Sequence, residues 1–311
     1  MGTAVIKGEA GAGRRVRSNL LEWRDILLAP DLDWNFAARR MQAHPQFDAA
    51  IMQIARYTLS VGETDPQIVR LMNDIQRLFV GFFVLYLDAR GAITHAAIKQ
   101  LCTELGFASI GRATAMLVHL RLSGFLIADP VQPDRRSRRY LPSPQTLRAF
   151  SRMFRGALEC LAPIEPAVRR VAGRMDDPRI FKAFVFSLGT RLAEAIRSGD
   201  SNAVSLFDQR NAGLGILFRI AMPQGGDTYP ARKPVPFSIN ALAGEFKVSR
   251  AHVRKLIRDA EARGLMHRSE DGTALTLEEP LRQALTDYQA AIFIGYLTAA
   301  IAALEAVGEA L

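Results

Sequence analysis

One arrangement of residues occurs twice in this sequence, at positions 93–127 and again at positions 237–267. Each copy begins with a helical pattern in which an isoleucine and a leucine stand three positions apart: Ile98 and Leu101, then Ile239 and Leu242. A short turn and a serine follow, and a glycine comes fifteen positions after that serine. A layout kept over this length predicts two similar folding units, each built on a pair of helices.

The second helix of each pair has signals for its start, its end and its buried face. A serine, Ser109 or Ser249, is placed to accept hydrogen bonds from the free amides of the first turn. A glycine, Gly124 or Gly264, allows the left-handed backbone at the end of the helix. Apolar residues at helical spacing predict the buried faces: Ala113, Met116, Leu117 and Leu120 in the first copy, and Val253, Leu256, Ile257 and Ala260 in the second.

Both glycines lead into apolar residues and then into a polar hairpin. The first hairpin reads DPVQPDRRSRRYLP and the second RSEDGTALTL, in which Asp271-Gly272 favours a tight turn. A further helix is expected before each pair, over about 68–88 and about 202–222. A helix, a helix–turn–helix and a two-stranded wing, in this order, form the layout of a winged-helix domain.

On these residues the chain resembles two families of transcriptional regulators. Residues 70–150 are similar to a MarR-type winged helix, including Asp134-Arg135-Arg136 in its wing, and residues 237–267 are similar to the DNA-reading part of GntR-type regulators. The resemblance implies a bacterial transcriptional regulator that binds double-stranded DNA sequence-specifically. Two alternatives stay open, since plasmid replication initiators also carry two winged helices and other winged helices dock proteins or organise chromosomes.

The expected fold class is mainly α, with two winged helix-turn-helix domains whose small wings supply the strands, joined and flanked by helices. The expected order is an N-terminal helical region (1–66), a first winged helix (67–148), a helical connector (149–200), a second winged helix (201–277) and a C-terminal apolar helix (278–311). We expect this last helix either to be buried or to form a dimer interface, and the expected homodimer would match a palindromic site. A pseudo-symmetric monomer is the alternative, because one chain already has two such units.

The distribution of charge supports an anionic partner. The chain carries 40 basic and 31 acidic residues, a formal net charge of +9. The basic residues are concentrated in RRSRR at 135–139 and in 247–268, which has seven basic and two acidic residues. Two local basic patches on a nearly neutral remainder favour docking onto double-stranded DNA.

In the second copy, the helical wheel turns a basic face outward, opposite the apolar stripe. Arginine can bind guanine through two hydrogen bonds, and neighbouring cations contact phosphates. The residues expected to contact DNA here are Ser249, Arg250, His252, Arg254, Lys255 and Arg258.

The corresponding helix in the first copy has an outward face that is poor in charge: Gly111, Ala115, Val118 and Leu122. In one interpretation Arg112 and Thr114 read bases, while the wing holds the DNA backbone through Arg135, Arg136, Arg138 and Arg139. In the other, Val118 and Leu122 pack against another domain or subunit, and only the wing contacts DNA. We expect both copies to contact DNA, the first mainly through its wing.

Other classes of function have little support. The sequence has no catalytic motif, and its five histidines and two cysteines lack metal-ligand spacing, so no enzyme activity, metal site or cofactor is expected. The N-terminus lacks the apolar run of a signal peptide, and the run YQAAIFIGYLTAAIAAL is short for a membrane span. We therefore expect a cytoplasmic protein without a membrane segment. A small-molecule effector is conceivable but has no support in the sequence.

Overall fold

The computed structural model describes residues 19–29, 32–64, 75–91, 93–106, 110–130, 139–198, 203–225 and 228–311. Over these residues the protein is mainly helical, as expected, with two small antiparallel sheets. The N-terminal part consists of α1 (Leu20–Leu27), α2 (Trp34–Gln42) and α3 (Phe47–Thr64). Helix α2 begins at Asp33, whose carboxylate accepts a hydrogen bond of 3.0 Å from the backbone N–H of Phe36.

The first repeated unit follows in the order helix, helix, helix, strand, strand: α4 (Ile75–Ala89), α5 (His95–Glu104), α6 (Ile110–Leu122), β1 (Leu126–Ala128) and β2 (Tyr140–Pro142). The part of the predicted 68–88 helix that precedes residue 75 lies outside the described residues. Strands β1 and β2 pair antiparallel, with Ile127 opposite Leu141. Gly124 has a φ of 74°, so the predicted left-handed exit from α6 is confirmed.

The connector contains α7 (Pro144–Leu161), α8 (Val168–Ala172) and α9 (Pro178–Ser198). Its aromatic centre is Phe154, which is 1% exposed. The Phe154 ring contacts one ring from its own helix, Phe150, and rings from three other helices, at centroid distances of 5.2–6.3 Å: those of Phe82, Phe181, Phe184 and Tyr296.

The second repeated unit has two helices where one was predicted over 202–222. They are α10 (Ser205–Asp208) and α11 (Gly213–Ala221). The single-helix prediction was wrong because Ala212 takes a left-handed backbone, with φ 54°, and this conformation interrupts the helix. The unit continues with β3 (Val235–Pro236), α12 (Ile239–Glu245), α13 (Arg250–Glu261), β4 (Met266–Arg268) and β5 (Ala274–Leu277), the sheet order being β3-β5-β4.

The chain ends in the long helix α14 (Glu279–Ala306), which packs against α1, α2, α7, α8 and α9. Among the described helices, α14 is long and apolar enough to cross a membrane, but 67% of its most apolar window is buried inside the protein. Phe293, Ile294 and Leu297 are fully buried within this one chain. Of the two roles expected for α14, burial is confirmed, because the chain's own helices cover its apolar faces.

Candidate nucleic-acid interface

Helix α13 begins where the sequence predicts. The side-chain oxygen of Ser249 accepts a hydrogen bond of 3.1 Å from the backbone N–H of His252, which satisfies one of the free donors of the first turn. Because the hydroxyl accepts this bond through oxygen, its own hydrogen is left to donate to another acceptor.

The apolar stripe of α13 is fully buried, as predicted. The four residues of this stripe are each 0% exposed: Val253, Leu256, Ile257 and Ala260. Since residues three and four apart share one face of a helix, their burial fixes which side of α13 is turned to solvent. Four basic residues lie on the solvent side and are exposed: Arg250, Arg254, Lys255 and Arg258.

Most of these cations are not neutralised by the rest of the protein. Within the described ranges, Arg250, Arg254 and Lys255 have no ion pair. Arg258 is 3.8 Å from the carboxylate of its neighbour Asp259, and its side chain is 71% exposed. An ion pair at this distance and exposure contributes little to stability, so the Arg258 guanidinium also remains available to bind an anionic partner.

His252 differs from the other predicted contacts because its ring already has a partner. Its Nε2 lies 2.9 Å from the backbone carbonyl of Asn211, to which it donates as the tautomer protonated at that nitrogen. The bond joins the first turn of α13 to the turn between α10 and α11. A phosphate contact through this ring therefore has to use Nδ1 or replace the bond to Asn211.

A second contact holds the opposite end of α13 to the same turn. The guanidinium of Arg210 lies 2.7 Å from the carboxylate of Asp259, and both side chains are about three-quarters buried. The hydrogen bond from Arg210 is the main reason that the pKa of Asp259 lies below its ordinary value. Together, the two contacts fix the orientation of the basic face.

The hairpin after α13 carries the opposite charge from the helix. Its turn holds Glu270 and Asp271, and the Asp271 carboxylate accepts hydrogen bonds from Ser269 (2.6 Å), from the Thr273 hydroxyl (2.7 Å) and from the Thr273 amide (3.1 Å). These bonds lower the pKa of Asp271 to about 2, so the turn is anionic at every physiological pH.

The basic side chains in the strands of this hairpin have acidic partners. Arg268 pairs with Glu261 at 3.0 Å, and His267 Nδ1 contacts the carboxylate of Glu278. The basic surface of the second unit is therefore the helix α13 rather than the hairpin.

The first unit presents a different surface. In α6, Ala113, Leu117 and Leu120 are buried as predicted, while Met116 is half-buried. On the outward side, Val118 is 45% and Leu122 is 84% exposed. The predicted readers lie at the margins of this face: Arg112 is exposed and Thr114 is half-buried.

The predicted wing of the first unit is described only in part. Arg139 is exposed and forms an isolated antiparallel bridge with Thr94. The other predicted contacts of this wing, Arg135, Arg136 and Arg138, lie outside the described residues, as does the predicted capping residue Ser109. The structure therefore brings together the six predicted residues of the second unit, with Arg112 and Thr114 on a separate helix.

No protein-family model, curated protein or solved structure matches this chain. Within the described ranges, no group of three or more His, Cys, Asp and Glu side chains is placed to hold a metal ion. Both cysteines are buried, and burial raises the pKa of the Cys160 thiol to about 12 and raises that of Cys102.

Reasoning from the sequence missed the residues that orient α13. Arg210 and Asn211 lie about 40 to 50 positions before their partners on the helix. The sequence does contain one signal, because Asp259 directly follows the basic residues of this helix and an acid there suggests an internal cation as its partner.

Proposed function

We propose that the two repeated units are winged helix-turn-helix modules and that the protein is a sequence-specific, double-stranded DNA-binding transcriptional regulator. The observation that carries the proposal is the exposed basic face of α13, with Arg250, Arg254 and Lys255 unpaired in the described structure and a fully buried stripe behind them. The order of helices and strands in each unit and the resemblance to MarR-type and GntR-type regulators also support it.

In the proposed complex, α13 lies in the major groove with its N-terminal turn toward the base edges. Arg254 reads a base, preferably guanine, because its planar guanidinium can donate two parallel hydrogen bonds. Arg250, Lys255 and Arg258 neutralise phosphates on either side of the groove, and Ser249 donates its hydroxyl to a phosphate oxygen. His252 contributes mainly by orienting the helix through Asn211.

The first module contributes less to base reading in this proposal. Its outward stripe on α6 offers no side-chain hydrogen-bond donor, so contact with DNA falls to Arg139 and to the arginines before it in the sequence. These cations would hold the DNA backbone. We further propose a cytoplasmic homodimer that binds a palindromic site.

Selection from a random duplex library at physiological salt tests the proposal. A discrete enriched sequence is expected, and a single palindrome would fit a dimeric regulator, whereas tandem repeats would fit a replication initiator. If no sequence is enriched and affinity falls steeply with salt, the protein contacts only the DNA backbone and does not read its sequence. That result would contradict the proposal.

Two variants then test the basic face with the enriched duplex. Arg254→Ala is expected to weaken binding by about 1–3 kcal/mol and to relax the preference at one base position. Lys255→Ala is expected to weaken binding to all duplexes alike and to lower the salt slope by about 1. Arg148→Ala is the matched control, because it removes an exposed cation from α7. If that control reduces affinity as much as Arg254→Ala, the effect is one of net charge and the assigned reader is wrong.

A further inference from the structure

Helix α6 exposes a stripe of four uncharged residues along most of its length. Gly111, Ala115, Val118 and Leu122 follow one another at intervals of four, three and four residues, so they lie on one face. This face is opposite the buried residues, and Leu122 at its end is 84% exposed. An alternation of three and four is the spacing with which one helix packs along another.

The residues on both sides of the stripe are basic or neutral. Arg112 and His119 flank one side, while Thr114 and Arg121 flank the other, and α6 contains no acidic residue. Arg121 is exposed, and its guanidinium lies over the Tyr140 ring, 5.4 Å from the centroid, which fixes that charge beside the stripe. In paired helices, charges at these flanking positions select the partner.

The N-terminal half of the stripe is shaped for close approach. A side chain added at Gly111 would meet no atom within 4 Å, so packing inside the protein does not require glycine there. A partner helix could approach the backbone at Gly111 and Ala115 and receive Val118 and Leu122 as knobs between its own side chains.

We propose that this stripe on α6 is the docking surface for an amphipathic helix of another protein, with an apolar stripe flanked by acidic residues. Charge complementarity selects this occupant. The same face of a second copy would bring Arg112 and Arg121 against like charges, which disfavours self-pairing. DNA fits less well, because the four stripe residues donate no hydrogen bond to base edges and burying Leu122 against phosphates desolvates them without compensation. This inference is independent of the DNA contact proposed for α13.

A pair of labelled synthetic helices tests the proposal against the full-length protein by fluorescence anisotropy. The first peptide carries leucines at spacings of three and four with glutamate at the flanking positions, and the second replaces each of these glutamates by lysine. We expect only the glutamate peptide to bind. Leu122→Ser should weaken its binding at least about tenfold, because docking would bury the most exposed apolar side chain of the stripe. The matched control Leu21→Ser, which alters a 59% exposed leucine of α1, should leave binding unchanged.

Three results would overturn the proposal. Equal binding of the two peptides would show that charge complementarity does not select the partner. Unchanged affinity of the glutamate peptide for Leu122→Ser would show that the stripe is not the docking surface. Failure of the glutamate peptide to bind, with Leu122→Ser reducing affinity for duplex DNA, would assign this face to DNA. Loss of DNA binding in Arg254→Ala bears only on the proposed function of α13, so the two failures are distinguishable.

Discussion

The guanidinium of Arg210 and the carboxylate of Asp259 lie 2.7 Å apart and join the turn before α11 to the last part of α13. The pair is partly shielded from solvent, and it lies beside the bond from His252 to the Asn211 carbonyl. Since both contacts end on one short turn, the position of α13 depends on residues that lie outside the helix pair α12 and α13.

Replacing Asp259 by asparagine is expected to lower the free energy of unfolding at neutral pH, because Arg210 loses its charged partner. The pKa of Asp259 is lowered in the folded protein, so the stabilisation is present above the ordinary value of 3.8 and is lost as pH falls through the folded-state pKa. Urea titrations at several pH values should therefore show wild type and Asp259→Asn converging in acid. Glu270→Gln, which alters an exposed acid in the turn between β4 and β5, serves as the control. A difference that persists unchanged in strong acid would contradict the ion pair.

Replacing Phe154 is expected to destabilise the protein more than replacing most of its other aromatic residues. Phe154→Ala should lower the free energy of unfolding by about 3–5 kcal/mol, since it leaves a cavity among five rings. Phe186→Ala is the comparison, because Phe186 is 47% exposed and stacks mainly on Tyr86. That variant should lose only about 1–1.5 kcal/mol, roughly half the value of full burial. Similar losses in the two variants, measured by denaturant unfolding, would be inconsistent with Phe154 as the centre of the core.

The parts of the second unit that the sequence predicts correctly are governed by local rules. The Ser249 cap, the buried stripe from Val253 to Ala260 and the left-handed Gly264 each follow from residues within one or two turns of each other. The bounds of α13 and its solvent-exposed face can therefore be predicted from the spacing of these residues alone.

The parts that the sequence did not predict depend on distant contacts. Ala212 gives no sign of its left-handed backbone, since alanine has the highest helix propensity. The apolar faces of α14 suit either burial or an interface between subunits, and only the folded chain shows that its own helices cover them. For the same reason, the partners Arg210 and Asn211 could not be found from the helix that they orient.

The acidic turn of the second hairpin should reduce DNA affinity if the proposed module binds DNA with its wing beside the phosphates. Glu270→Gln removes one exposed charge and leaves the hydrogen bonds of Asp271 in place. We expect affinity for duplex DNA to rise about twofold at low salt and the gain to disappear at high salt, as screening predicts. Asp48→Asn, an equal change of charge on α3, should have no effect. Equal gains in both variants, measured by anisotropy over a salt series, would show a general charge effect and place the wing away from DNA.

Glycine at position 156 is required by the approach of another helix rather than by backbone conformation. A Cβ at Gly156 would lie 2.2 Å from the Tyr57 ring, whose hydroxyl donates to backbone carbonyls of α7. Gly156→Ala is therefore expected to destabilise the protein by about 1–3 kcal/mol through overpacking between α3 and α7, despite the better helix propensity of alanine. In Gly244→Ala the new methyl group would meet no atom within 4 Å, so propensity should act alone and stabilise α12 by about 0.5–1 kcal/mol. Thermal unfolding of the two variants should thus shift in opposite directions. A stabilised Gly156→Ala would mean that Tyr57 can move aside and that α3 and α7 are not held at this distance by the ring.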